Sequence, residues 1–99
     1  MLNINKEETN GKLTIILEGR LDTTTAPQLE DELNKSVENA KSIVFDMDAL
    51  EYISSAGLRI LLSAQKTMNK QGEMKLIHVS EEIMEIFEVT GFSDILNIE

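Results

Sequence analysis

The chain of 99 residues carries 18 acidic and nine basic side chains, a formal net charge of −9, and has no cysteine. That length suits one domain over residues 1–99 around a single core, and the missing thiols exclude disulfides, thiolate metal sites and thiol chemistry. The acidic balance opposes nucleic-acid phosphate and anionic lipid, no stretch approaches the roughly 20 apolar residues of a membrane span, and Met1-Leu2-Asn3-Ile4-Asn5-Lys6 lacks the blocks of a signal peptide, so the expectation is a cytoplasmic protein with no nucleic acid, no direct membrane insertion and a protein partner with a basic face.

Leu2 and Ile4, then Leu13, Ile15 and Leu17, alternate with polar residues on either side of Thr9-Asn10-Gly11-Lys12. Asn-Gly between two alternating runs is the strongest short hairpin signal, which predicts antiparallel strands over about 2–8 and 12–18. Gly19-Arg20-Leu21-Asp22 then reads as a break, followed by Thr23-Thr24-Thr25-Ala26-Pro27-Gln28. With Thr25 as N-cap, Pro27 lies in the first turn, where its missing N–H costs nothing, and Gln28 completes a capping box. Leu29, Leu33 and Val37 recur on one face and carry the first helix to about Asn39.

Ile43-Val44-Phe45 is a continuous apolar run suited to a central strand covered on both faces. It stops at Asp46, and Asp46 to Gly57 reads as a loop opening a second helix near Ser55. Leu58, Leu61, Leu62 and Met68 form that helix's buried stripe, widened by Ile60 and Ala64, and it ends before Gln71-Gly72, where the glycine can turn left-handed. Met74, Leu76, Ile77 and Val79 predict another strand. Ser80 caps a third helix with Ile83, Ile86 and Phe87 inward and Gly91 at its end; Ile95, Leu96 and Ile98 predict a last edge strand. The order β-β-α-β-α-β-α-β predicts an α/β domain with an N-terminal β-hairpin, a mixed, mostly parallel sheet, three or more helices and right-handed crossovers.

In open α/β sheets the working surface lies beyond the carboxyl ends of the parallel strands. The two stretches Gly19 to Thr25 and Asp46 to Gly57 should meet there, placing Asp22, Thr23, Thr24, Thr25, Ser54 and Ser55 on one rim. A hydroxyl at a helix start either caps it or, left exposed, lies where unpaired N–H groups and the positive end of the macrodipole hold a phosphate. By residue type alone the commoner role for Ser55 is an N-cap, worth about 1 kcal/mol. Asp22 either braces its turn or faces a partner, and Arg59, pointing away from Leu58, Leu61 and Leu62, is either a partner contact or a solvated charge. Asp46, Asp48 and Glu51 read as solvated turn acids rather than a metal cluster. His78, the only histidine, has no second histidine or cysteine to share a metal and reads as a structural strand residue. Met68, Met74 and Met84 are core fillers.

Catalytic motifs are missing. Ile53-Ser54-Ser55-Ala56-Gly57 lacks the first glycine of a nucleophile elbow, neither phosphate-binding glycine loop occurs, and Glu18-Gly19 does not supply the acidic pair of a phosphorelay receiver.

Gly19-Arg20-Leu21-Asp22 and Ser54-Ser55-Ala56-Gly57-Leu58, taken together at this separation, resemble the STAS domains of bacterial anti-sigma factor antagonists. In that family a Gly-x-Leu-Asp turn follows the second strand, and Asp-Ser-Ser-Gly-Leu or Asp-Ser-Thr-Gly-Leu opens the second helix. The likeness covers the whole chain, including a closing helix that ends in Thr90-Gly91. It implies a single STAS domain acting as a partner switch. The unphosphorylated antagonist binds an anti-sigma factor that is also a serine kinase and frees a sigma factor; phosphorylation of the motif serine ends binding, and a serine phosphatase resets it. Carried over residue by residue, the phosphoacceptor is Ser55 and Asp22 becomes an interface residue; with the rim read above, the expected partner-binding surface is Asp22, Thr23, Thr24, Thr25, Ser54, Ala56, Gly57 and Arg59. Ser54 stands where the motif has aspartate and Ala56 where it has a second serine, so the carboxylate beside the phosphoacceptor is missing and Ser54 offers a competing hydroxyl. A phosphate adds about −1.5 to −2 charge and is accommodated by a helix N-terminus, so the expected mechanism is occlusion and repulsion of the partner rather than refolding. The resemblance also admits an alternative, a non-switching STAS adaptor or regulatory subunit of a membrane transporter. Either role is non-enzymatic, with no cofactor and no metal.

Overall fold

The computed structural model describes all 99 residues, beginning with a hairpin of β1 (Leu2–Thr9) and β2 (Lys12–Leu21). Asn10 and Gly11 both take positive φ, 53° and 83°, as the Asn-Gly turn requires. A first helix, α1 (Ala26–Ser36), ends in a 3₁₀ turn (Val37–Asn39), and β3 (Ser42–Ile53) and α2 (Ser55–Gln71) follow. The chain closes with β4 (Glu73–Ile77), α3 (Glu81–Thr90) and a second 3₁₀ turn (Phe92–Asp94). The sheet order is β1-β2-β3-β4, with β1 antiparallel to β2 and the remaining pairs parallel. The mixed, mostly parallel α/β architecture is the expected one. Its last strand contracts to a single parallel bridge, Leu76 to Ile98, although Leu96 is buried beside it.

One cluster of 24 buried residues draws on all four strands and all three α-helices, so the helices share one face of the sheet. Along β2 this alternation is clean: Leu13, Ile15 and Leu17 are buried, while Thr14 and Ile16 on the other face are half-buried. Helix α1 contributes Ala26, Leu29 and Leu33; α2 contributes Leu58, Ile60, Leu61, Ala64 and Met68; α3 contributes Ile83 and Phe87.

Several local expectations are corrected. Gly19-Arg20-Leu21 is not a break but the end of β2, and the expected loop Asp46 to Gly57 is mostly strand, because β3 runs to Ile53. The reason is a pair of register shifts: Ile16 pairs with Asp46 but Glu18 with Ala49, and Gly19 pairs with Leu50 but Arg20 with Tyr52. Each shift inserts one extra β3 residue and resets the alternation. Buried positions therefore fall at Met47, Leu50 and Ile53, three apart, a spacing that hides a strand from a period-two reading. Leu62 is only half-buried and lies outside the core cluster. Gly72 has φ 176°, extended rather than left-handed; a Cβ there would collide with the Lys41 carbonyl oxygen. His78 and Val79 follow β4 instead of extending it, with His78 at φ 58° and its Nδ1 3.0 Å from Asp46 Oδ1.

Candidate functional site

The ends of β2 and β3 form the floor of the rim. Leu21 pairs with Ile53, and Ser54 N–H donates to the Leu21 carbonyl at 2.9 Å, which ties the start of α2 to the end of β2. The two sequence stretches therefore meet, bringing Asp22 to Thr25 alongside Ser54 and Ser55.

Asp22 and Thr25 organise the first stretch through reciprocal hydrogen bonds. Asp22 Oδ1 accepts from Thr24 Oγ1 at 2.7 Å, Thr24 N–H at 3.0 Å, Thr25 N–H at 3.1 Å and Thr25 Oγ1 at 3.2 Å. Thr25 Oγ1 accepts from Asp22 N–H and donates to the Arg20 carbonyl, both at 2.8 Å. Thr25 occupies the N-cap position of α1, but its side chain makes no capping bond to the helix. The predicted capping box is replaced: Thr25 faces backward into the turn, and Gln28 Nε2 donates to the Leu2 carbonyl at 3.0 Å, pinning the N-terminal strand. Asp22 thus braces the turn, whatever else it meets, while Thr23 and Thr24 are exposed above it.

These donors hold the Asp22 carboxyl below its ordinary value of 3.8, the Thr24 hydroxyl most of all, with the N–H groups of Thr25 and Thr24 and the Thr25 hydroxyl adding and desolvation opposing. A carboxyl whose folded pKa is depressed contributes stability that is complete above its unfolded pKa and lost as pH falls through the folded one. Asp22→Asn keeps an acceptor oxygen without the charge. Urea unfolding should therefore show a gap between wild type and Asp22→Asn near pH 7 that narrows as pH falls below the ordinary carboxyl value of 3.8; a gap unchanged by pH would mean that the ionised form is not what the turn prefers.

The second stretch divides its labour between two serines. Ser54 is the N-cap of α2: its Oγ accepts from Gly57 N–H at 3.5 Å, and its carbonyl accepts the first helical bond, from Leu58 N–H at 2.9 Å. The cap role read for Ser55 from residue type belongs to its neighbour. Ser55 is the first residue of α2 and exposed, at the helix end whose N–H groups lack intrahelical partners. Arg59, four residues on and also exposed, is on the same helical face. Ala56 packs partly against the core, and Gly57 is buried. A Cβ on Gly57 would stand 2.7 Å from Leu21 Cγ and 2.9 Å from Ile53 Cγ1, so this glycine sets how closely α2 approaches β2 and β3.

Two further rim residues carried no signal in the sequence. Arg20 and Tyr52 are paired across β2 and β3, the guanidinium carbon lies 4.4 Å from the Tyr52 ring centroid, and Arg20 Nε lies 3.8 Å from Asp22 Oδ2. The register shifts that put them opposite each other are what made them unreadable. Asp46, Asp48 and Glu51 are spread along β3 rather than gathered in a turn, and no group of three histidine or acidic side chains could hold a metal ion. No helix is long and apolar enough to cross a membrane.

Comparison with known proteins extends the picture. Residues 3–99 match the family model of the STAS domain. BtrV of Bordetella bronchiseptica, named as a candidate anti-sigma factor antagonist, is 34% identical over 99 residues, covering 98% of this chain and 85% of its own. The crystal structure of an anti-sigma factor antagonist from Mycobacterium paratuberculosis superposes with a TM-score of 0.89 at 22% identity, covering 99% of this chain and 85% of that one. The antagonist SpoIIAA superposes unphosphorylated with a TM-score of 0.78 (17% identity, 98% and 87% covered). Phosphorylated, as the Bacillus cell fate determinant, it gives 0.77 (18% identity, 98% and 91% covered). At these identities the structural likenesses establish the fold.

Proposed function

The chain belongs to the STAS domain family, and from that premise we propose that it is an anti-sigma factor antagonist whose binding is switched at Ser55. In the unphosphorylated state the rim from Asp22 to Thr25, with Ser54, Ser55 and the exposed start of α2, binds an anti-sigma factor with serine kinase activity and so releases a sigma factor. Phosphate on Ser55 ends the contact, and a serine phosphatase restores it.

The observation that carries this reading is the split between the serines. Ser54 satisfies the helix end, so the exposed Ser55 is free of structural duty and can be modified without uncapping α2. A phosphate on the first residue of a 17-residue helix meets free N–H groups and a favourable dipole. The domain therefore tolerates it; a partner seated over it meets new bulk and charge, and a loss of about 1.4 kcal/mol already weakens binding tenfold. SpoIIAA keeps this fold in both its forms, which supports a switch acting at the surface rather than through refolding.

Intact-mass and phosphopeptide analysis of the protein from its own cells, beside Ser55→Ala and Ser54→Ala, tests the proposal. One phosphate should appear, on Ser55, and vanish only in Ser55→Ala, whose stability should stay within about 0.5 kcal/mol of wild type because no cap is lost. No phosphate under any growth condition would instead favour a constitutive adaptor. A phosphate lost only in Ser54→Ala would move the acceptor by one residue.

A further inference from the structure

We infer that Arg20, laid on the ring of Tyr52 and steadied by Asp22, is the specificity-determining contact of the rim, presenting its guanidinium to a carboxylate on the anti-sigma factor with the Tyr52 ring as the apolar platform beside it. The inference rests on the functional reading above and adds residues to it.

Position is the first argument. The pair Arg20 and Tyr52 is followed by Leu21 and Ile53, after which Ser54 hydrogen-bonds back to Leu21, so the stack adjoins both halves of the rim. Exposure is the second. Tyr52 is 37% exposed and is the only exposed large apolar residue within a strand, while the Arg20 side chain is 53% exposed. Tyrosine and arginine, with tryptophan, are the side chains enriched at the energetic centres of protein interfaces.

Preorganisation is the third. The guanidinium carbon stands over the ring 4.4 Å from its centroid, and the ion pair with Asp22 is made at Nε, 3.8 Å from Oδ2. Asp22 is itself held by Thr24 and Thr25. A fork already oriented loses little conformational entropy on binding and matches a planar carboxylate in a way that a lysine ammonium does not.

Charge supplies the last step. The net charge of −9 draws any basic surface, which steers encounter without selecting a partner. A fixed cation within that field rewards a partner whose basic face contains one carboxylate and penalises a face that is basic throughout. The chain has only two arginines, and both are at this end of the molecule, the second being Arg59 one turn into α2.

The test is calorimetric titration of the purified anti-sigma factor of the same organism into wild type, Ser55→Asp, Arg20→Lys, Arg20→Ala, Tyr52→Phe and Tyr52→Ala, with thermal unfolding of each to show that it is folded. Arg20→Lys, which keeps the charge and loses the fork, should weaken binding about tenfold, as should Tyr52→Ala, while Tyr52→Phe should stay within about twofold. The double variant of Arg20→Ala with Tyr52→Ala should bind little worse than either single one, since the two act as a unit. If wild type binds and Ser55→Asp does not, yet Arg20→Lys and Tyr52→Ala bind like wild type, this inference falls and the functional reading stands. If wild type itself does not bind, both fall.

Discussion

Gly57→Ala destabilises the domain by about 1–3 kcal/mol, read as a thermal midpoint lower by about 5–20 °C for a domain of this size. The sign is not obvious, because alanine inside a helix normally stabilises by about 0.5–1 kcal/mol over glycine. Here the new methyl group would lie 2.7 Å from Leu21 Cγ and 2.9 Å from both Leu21 Cδ2 and Ile53 Cγ1. Leu21 and Ile53 are themselves buried in the core cluster, so neither has space to retreat into, and overpacking outweighs propensity. Relief would come from lifting the first turn of α2 off the sheet, which would stretch the bond from Ser54 to the Leu21 carbonyl and displace Ser55 from the Asp22 turn. Partner binding should therefore weaken along with stability. Denaturant unfolding decides the matter: a Gly57→Ala protein as stable as wild type would show that the close approach imposes no constraint.

The same contact explains what could be read from residues alone. The hairpin, the helix capped by Ser80 and the closing Gly91, left-handed at φ 83°, were legible because each depends on local chemistry with a fixed sequence spacing. The meeting of the two rim stretches was legible from topology, since ends of adjacent parallel strands share one edge of the sheet. The rest required tertiary information. Thr25 and Gln28 fit a capping box in sequence, yet the Arg20 carbonyl and the Leu2 carbonyl, distant in the chain or behind the helix, compete for them and win. The second half of β3 is hidden from a period-two reading because its two register shifts replace alternation with the triplet Met47, Leu50 and Ile53. Those shifts also bring Arg20 onto Tyr52, so no spacing rule could have paired them. Ser54 and Ser55 are equally plausible caps in sequence, and which of the two caps the helix is fixed by the bond from Ser54 N–H to the Leu21 carbonyl, a contact distant in the chain.

Leu61→Ala and Leu62→Ala should part company sharply, although the two leucines are neighbours on the stripe read from the sequence. Leu61→Ala removes a fully buried side chain from the centre of the core and should cost about 2–5 kcal/mol, a large share of the roughly 5–15 kcal/mol that a domain of this kind commands. Leu62 is half-buried and outside the core cluster, so its truncation vacates less enclosed space and should cost at most about half as much. The difference follows from how α2 is rolled on the sheet. With Gly57 facing Leu21 and Ile53, the buried line runs through Gly57, Leu61, Ala64 and Met68, and Leu62 is turned one helical step to its flank. Urea midpoints of the two variants at matched slopes measure the roll directly. Equal losses would mean that α2 presents Leu61 and Leu62 equally to the core, and with that roll Gly57 would no longer point at β2 and β3.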